Sequence, residues 1–167
     1  YADLNKKSNG NVGNNKAVSN ETLYIACWNL QTFGDTKASN DTLLGYYASK
    51  LDDYDIFIVQ EIRDNDDSAI QKLADKVPEY NYVLSNRAGK NSSKEQYAVF
   101  YDNRVKLLGS HDYASEYQNS FERPPLKVTF NVINWTFSIY TIHAKPDNVN
   151  NELTNLENLI GRTTEDT

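Results

Sequence analysis

The sequence has few residues of the kinds that build disulfides, zinc cages or membrane spans. Its 167 residues include one cysteine, Cys27, and two histidines, so an internal disulfide and a zinc site of the Cys/His type are excluded. No apolar run approaches the roughly 18 residues that a membrane-spanning helix needs. We therefore expect no membrane partner. We also expect Cys27, which lies in a short apolar run, to be a small buried hydrophobic residue.

Basic charge is also scarce. The chain has 17 Lys and Arg against 23 Asp and Glu, a net charge of -6. This balance argues against a protein that binds nucleic acid through a broad basic face. It does not exclude a nuclease, because an enzyme that meets a phosphodiester through a bound divalent cation obtains its positive charge locally.

The residues that are present indicate one folded α/β domain after a polar lead-in. Residues 1–21, rich in Asn, Lys, Ser and Gly, are predicted to be flexible. Short apolar runs predict strands at residues 23–28, 56–59, 80–84, 97–101, 105–108, 126–132 and 135–143. Helical spacing predicts helices at residues 41–51, 70–77 and 148–160, the last with Leu153, Leu156 and Leu159 on one face. Helix-linked strands followed by meander-like strands predict a layered α/β sandwich.

Polar side chains follow three of the buried runs, and α/β proteins build sites at such strand ends. Glu61 offers the hard oxygen that magnesium prefers, Asn29 a neutral carbonyl oxygen, and His143 a group that transfers protons near neutral pH. Together they indicate metal-assisted phosphoryl chemistry. Taken singly, each has an ordinary alternative as a turn residue, a solvated charge or a structural hydrogen-bonding group.

Five short motifs carry a resemblance to a known family. They are WNLQTFGDTK from Trp28, IVQEIRD from Ile58, SKEQY from Ser93, FERPP from Phe121 and IHAKP from Ile142. In that order they resemble the endonuclease/exonuclease/phosphatase superfamily, and within it the deoxyribonuclease branch of the pancreatic-type enzyme and related secreted microbial nucleases. The resemblance covers about residues 22–160 and implies a layered sandwich of the deoxyribonuclease type.

The resemblance implies a catalytic or metal-binding role for four matching residues. Glu61 would bind the catalytic magnesium, with Ca²⁺ or Mn²⁺ as alternatives, and Asn29 would complete the site near the scissile phosphate. His143 would act as general acid on the leaving oxygen. Glu95 would hold the other ring nitrogen of His143 and fix its tautomer.

The resemblance also implies three contacts with substrate DNA. Arg63 would approach the minor groove and Arg123 a backbone phosphate, with a surface salt bridge as the alternative for each. Lys90 keeps the positive charge of the family's DNA-contact loop. Two departures weaken the expected contact, since Ser93 stands where the pancreatic-type enzyme has a tyrosine and Gln31 where it has an arginine.

The family's Gly-Asp-x-Asn and Ser-Asp-His motifs, which supply the water-orienting carboxylate and the general-base histidine, are not found in the 167 residues. The resemblance therefore implies that residues 22–167 are the N-terminal portion of such a domain, its first half to two-thirds. A C-terminal half, a second chain or self-assembly would then cover the exposed sheet.

Two hypotheses about function remain open. The first is a magnesium-dependent DNA endonuclease that is weakly active or inactive as this chain alone. The second is a non-catalytic assembly or interaction module built from a truncated nuclease fold. The polar lead-in and the resemblance favour an extracellular protein.

Overall fold

The computed structural model describes residues 22–90 and 94–165, so the predicted lead-in and Ser93 lie outside the described residues. Seven strands and four helices lie within these ranges. The strands are β1 (Ile25–Phe33), β2 (Ile56–Ile62), β3 (Asn81–Leu84), β4 (Gln96–Tyr101), β5 (Lys106–Asp112), β6 (Leu126–Val132) and β7 (Trp135–Thr141). The helices are α1 (Asp35–Ala38), α2 (Asp41–Leu51), α3 (Ser68–Ala74) and α4 (Val149–Glu165).

The first sheet has the strand order β1-β2-β4-β3, with β2 parallel to β1 and antiparallel to β4. Its central strand β2 is covered on both faces. Ile56 and Ile58 pack toward the second sheet, and Phe57 and Val59 toward the helices, all with at most 6% of their surface exposed. A strand buried on both faces has a continuous apolar run, which explains why the sequence predicted it.

Helices α1, α2 and α3 belong to the core on the helix side of this sheet. The side chain of Asn40 caps α2 by accepting a hydrogen bond from the Leu43 amide at 3.0 Å. Leu44 and Leu51 of α2 pack into the core on that side. Helix α3 ends at Ala74, three residues earlier than predicted.

The second sheet has the order β5-β6-β7 and packs on the opposite face of the first sheet. Leu126, Val128 and Phe130 of β6 form the contact between the sheets. On the outer face of this second sheet, the Tyr140 hydroxyl is 2.6 Å from the Thr163 hydroxyl of α4. The layered α/β sandwich predicted from the sequence is therefore confirmed.

Strand β1 differs from the prediction of a buried strand. It lies at the edge of the first sheet. Ala26 and Trp28 pack on the helix side, so the alternate residues Ile25 and Cys27 face the other way. Both are exposed, and the prediction of a buried Cys27 is wrong because the described residues do not cover this part of the strand.

Helix α4 also differs from its predicted apolar face. Leu159 is 2% exposed, whereas Leu153 is 50% exposed, so the three predicted leucines do not form one buried stripe. Within the described ranges, no helix combines the length and apolar character needed to cross a membrane.

Candidate active site

The candidate site lies where β1, β2 and the segment after β7 meet. Asn29 of β1 pairs with Gln60 of β2. The Gln60 side chain donates a hydrogen bond to the Ile142 carbonyl at 2.9 Å, which joins the end of β2 to the segment after β7. Because β7 ends at Thr141, His143 lies in the loop after it and not in the strand as predicted. Asn29 and Glu61, predicted to follow their strands, lie inside β1 and β2, which run further than the apolar residues alone indicated. The structure nevertheless brings Asn29, Glu61 and His143 together.

Glu61 occupies the open side of the site. Its Oε1 accepts a hydrogen bond from Nδ2 of Asn29 at 2.7 Å, and its Oε2 accepts one from the Thr32 amide at 2.8 Å. These neutral donors hold the carboxylate without neutralising it. Each oxygen retains further acceptor capacity, and the side chain is 15% exposed. Asn29 and Glu61 are therefore in direct contact.

Backbone bulges aim these groups at each other. Gln31, Thr32 and Glu61 have left-handed backbone angles, with φ of 53°, 61° and 62°. Such conformations cost non-glycine residues about 1–3 kcal/mol each, so other contacts must hold them. Nζ of Lys37 donates to the carbonyls of Leu30 and Gln31 and so secures the bulge in β1. Bulges of this kind commonly re-aim side chains beside active sites.

The same contacts set the charge state of Glu61. Burial acts to raise the pKa of Glu61, but hydrogen bonds from Asn29 and Thr32 and the nearby charges of His143 and Arg63 hold that pKa below its usual range. Glu61 is therefore ionised at neutral pH. An ionised carboxylate with acceptor capacity to spare is a suitable ligand for a hard divalent cation.

Glu95 occupies the closed side of the site, with a side chain that is fully buried. Its Oε2 lies 2.8 Å from Nδ1 of His143, and its Oε1 accepts a hydrogen bond from Nη2 of Arg63 at 2.5 Å. Nε of Arg123 is 3.6 Å from Oε2. Because the carboxylate can only accept, Nδ1 of His143 carries the proton. The other ring nitrogen, Nε2, then lies 3.8 Å from Oε1 of Glu61.

Within the described residues, Glu61, Glu95 and His143 form a group whose ligand atoms lie within 4.8 Å of one another. Such a group could hold a metal ion. Glu95 is the weaker candidate ligand, because a metal bound to it would compete with Arg63 and His143 for the same two oxygens. Among the residues that the structure describes, no cationic side chain lies within hydrogen-bond distance of Glu61.

A buried tyrosine joins the two loops that carry His143 and Arg123. The Tyr97 hydroxyl accepts a hydrogen bond from the His143 amide at 3.0 Å and donates one to the Arg123 carbonyl at 3.2 Å. Nε of Arg123 donates in turn to the His143 carbonyl at 2.9 Å. Burial raises the pKa of Tyr97, which keeps its hydroxyl protonated and able to donate.

A buried glutamate of α4 joins the same two loops. Glu152 is fully buried and accepts hydrogen bonds from the amides of Glu122 at 3.0 Å and Lys145 at 3.4 Å. Sequence reasoning missed this residue, because nothing distinguishes it from a solvated helix charge. It also missed Tyr97 and Lys37, for which the only signal was their place inside the quoted motifs.

The three predicted DNA-contact residues lie in different settings. Arg63 is in the ion pair described above with its side chain 33% exposed, and Arg123 is 7% exposed and tied to the His143 carbonyl. Lys90 is exposed, outside this cluster, and its amide donates to the Glu122 carboxylate at 3.0 Å. Their contacts with DNA stay predictions.

Comparison with known sequences finds deoxyribonuclease-1 proteins that are similar to this chain. No protein-family profile matches the chain. It is 36% identical to deoxyribonuclease-1 of Equus caballus over 148 residues, which cover 81% of this chain and 52% of that protein. It is 38% identical to deoxyribonuclease-1 of Homo sapiens over 139 residues, covering 75% and 49%. The chain thus spans about half the length of the deoxyribonuclease-1 proteins that it matches.

Solved structures show the same fold. An endonuclease/exonuclease/phosphatase family protein from Bacteroides thetaiotaomicron matches with a TM-score of 0.63 and 14% identity, over 84% of this chain and 58% of that one. Truncated TDP2 of Caenorhabditis elegans matches with a TM-score of 0.60 and 15% identity, over 86% and 55%. The resemblance inferred from the five motifs is confirmed by these sequence and fold comparisons.

Proposed function

We propose, from the premise that this chain is a deoxyribonuclease-1 homologue with the endonuclease/exonuclease/phosphatase fold, that it provides the metal-binding and proton-donating part of a magnesium-dependent DNA endonuclease. The observation that supports this most directly is the placement of Glu61 and His143, whose Oε1 and Nε2 atoms lie 3.8 Å apart. A phosphodiester at this opening would meet a ligand carboxylate and an imidazole nitrogen together.

The donor set on the open side fits magnesium. Glu61 is ionised and retains acceptor capacity, and the Asn29 amide and the Thr32 N–H hold it in one orientation. Oxygen ligands of this kind also accept Ca²⁺ or Mn²⁺. When bound, magnesium would supply positive charge to the phosphate oxygens, which a chain with a net charge of -6 does not provide broadly.

His143 would donate the proton to the leaving oxygen. Its Nδ1–H is held on Glu95, so proton transfer takes place at Nε2 on the open side. Tyr97 and Arg123 hold the backbone of His143 at its N–H and its carbonyl. Asn29 would hold Glu61 in place beside the scissile phosphate. Arg63 and Arg123 would add positive charge toward the DNA.

The described residues offer no clear group to activate the attacking water. The other histidine, His111, is 2.6 Å from a Glu116 oxygen, and its ring centroid lies 4.3 Å from that of Tyr113. We propose that a C-terminal portion, corresponding to the remaining length of the relatives, supplies this group. The same portion would cover the open edge of β1, where Ile25 and Cys27 are exposed.

DNA is the substrate we propose because the relatives are named for it, and we propose secretion as the setting in which this chain acts. The test is plasmid nicking in magnesium by the chain supplied with a C-terminal portion of a deoxyribonuclease-1. His143→Ala should lower the rate by about 10²- to 10⁴-fold, the usual contribution of a general acid. His111→Ala is the matched control and should leave the rate within about twofold.

The other possible results of the nicking experiment distinguish between the site, the C-terminal portion and the non-catalytic alternative. Nicking that persists in His143→Ala or in excess chelator would contradict the proposed site. Robust, His143-dependent nicking by the 167 residues alone would remove the need for a C-terminal portion and leave the site standing. Absence of nicking in every combination would favour the non-catalytic assembly or interaction module.

A further inference from the structure

We propose that Glu152 of α4 is a positioning residue, which holds the proton donor His143 at a fixed distance from Arg123. The side chain of Glu152 lies in the first turn of α4 and is fully buried. A glutamate is rarely buried to this extent unless donors face its oxygens, so its partners indicate its task. The proposal rests on the proposed function, because it takes His143 as the proton donor.

Glu152 accepts one backbone N–H from each of two loops. Its Oε1 accepts a hydrogen bond from the amide of Glu122, the neighbour of Arg123, at 3.0 Å. Its Oε2 accepts one from the amide of Lys145, two residues after His143, at 3.4 Å. Because both oxygens belong to one planar group, the two loops cannot move apart without loss of one of these bonds.

The same helix holds the Arg123 loop at a second point. Nδ2 of Asn155 donates a hydrogen bond to the Ser120 carbonyl at 2.6 Å. Asn155 follows Glu152 by three residues, so both side chains lie on one face of α4. The helix therefore fastens this loop at two points, and through Glu152 it also fastens the loop that carries His143.

Tyr97 of β4 contacts the same two loops from the first sheet. Its hydroxyl accepts from the His143 amide and donates to the Arg123 carbonyl. Burial is the main cause that raises the pKa of Tyr97, and the negative charges of Glu95 and Glu152 act in the same direction. Two separate elements, β4 and α4, thus fix one pair of loops. A group that transfers a proton needs such support, because a small misplacement of its reacting atom costs much of the rate.

The contacts require a carboxylate at position 152. Two N–H donors face its two oxygens, whereas a glutamine would offer one oxygen and one NH2 group. Glu152→Gln therefore keeps the size of the side chain but leaves one loop facing a donor in place of an acceptor. The helix propensity of the two residue types is nearly equal, so the change acts on these contacts and not on α4 itself.

The test is plasmid nicking in magnesium by the chain supplied with a C-terminal portion of a deoxyribonuclease-1. Glu152→Gln should lower kcat roughly 10-fold and leave KM within about twofold, because His143 is misplaced and not lost. In chelator, where no nicking occurs, the NMR signals of the His143 ring should also shift in this variant. Glu157→Gln, which changes an exposed glutamate of the same helix, is the charge-matched control and should alter neither readout.

A double variant separates positioning from a loss of stability. Glu152 and Tyr97 hold the same loops, so Glu152→Gln combined with Tyr97→Phe should lower kcat by about 10- to 30-fold, less than the product of the two single losses. Rates are measured well below the Tm of every variant, where all of them are folded. A double variant that loses the full product, about 100-fold, would show that the two residues act independently and would contradict the proposal.

An unchanged kcat in Glu152→Gln would overturn the proposal. If that variant has a lower Tm or shifted His143 signals but a wild-type kcat, Glu152 affects only stability or local structure, and the proposal is again wrong. His143→Ala separates this result from the proposed function. Nicking that depends on His143 but not on Glu152 removes only the positioning role, whereas nicking that is independent of His143 removes the proposed function.

Discussion

The two glutamates of the candidate site, Glu61 and Glu95, have opposite surroundings. Glu61 is held by neutral N–H donors from Asn29 and Thr32, so its negative charge remains to attract a cation. Glu95 is fully buried, and the ionisable partners Arg63 and His143 face its two oxygens. The difference shows how one site divides two tasks between identical side chains. The neutral donors leave Glu61 charged and able to bind a metal ion, whereas Glu95 holds the proton donor His143 in one orientation.

The largest effect should come from removing the charge on the closed side. Glu95→Gln should lower nicking by about 100-fold, because His143 loses the partner that fixes its proton on Nδ1. The ¹⁵N NMR spectrum of His143 should then show a mixture of tautomers. Glu116→Gln removes the carboxylate beside His111 and serves as the matched control. If the His143 tautomer is unchanged in Glu95→Gln, Glu95 does not fix the proton of His143, and the proposed difference between the two glutamates is wrong.

A smaller effect should come from loosening the loops around that closed side. Tyr97→Phe removes the hydroxyl that joins the His143 amide to the Arg123 carbonyl. We expect kcat to fall roughly 10-fold with little change in KM, because the proton donor is misplaced and not lost.

The control is a second buried tyrosine away from the site. The Tyr80 hydroxyl donates to the carbonyls of Leu51 and Tyr54. Tyr97→Phe and Tyr80→Phe should each cost about 1 kcal/mol of unfolding free energy. Only Tyr97→Phe should lower kcat. Equal catalytic losses in both variants would show that Tyr97 acts through stability alone.

The smallest effect should be a change in the stability of the fold at low pH, where Glu61 on the open side becomes protonated. The lowered pKa of Glu61 means that its hydrogen bonds stabilise the fold fully above the ordinary glutamate pKa of about 4.3. That contribution is lost as the pH falls through the lower pKa of the folded state. In chelator, the Tm of the wild type relative to Glu61→Gln should therefore fall between pH 7 and pH 3, by no more than about 4 °C. A constant difference would argue against the contacts described for Glu61.

The parts of the fold that the sequence predicts are those whose burial is decided locally. Strand β2 is apolar on both faces, and α2 begins at a recognisable cap, Asn40. The exposure of Cys27 and Leu153 could not be predicted in this way. It depends on which other elements lie over an edge strand or a helix face, and an apolar residue type does not contain that information.

The candidate site was predictable in its residues but not in its geometry. Their positions after apolar runs and inside the five motifs identified Asn29, Glu61 and His143 as candidates for one site. Gln31 and Thr32 have a left-handed backbone, which points an amide at Glu61. Glycine is the residue that usually indicates such a backbone, and neither position is a glycine, so the sequence did not predict it. The role of Glu152 was equally hidden, since only the folded chain places it between two loops.

The most direct test of the division between the two glutamates is magnesium binding measured by calorimetry, with folding checked by circular dichroism. We predict that Glu61→Gln weakens magnesium binding about 10-fold or more, because it removes the charged ligand on the open side. Glu95→Gln should leave the affinity within about threefold, since its oxygens face Arg63 and His143. A loss of magnesium affinity in Glu95→Gln as large as that in Glu61→Gln would show that Glu61 is not the distinct metal ligand of the site.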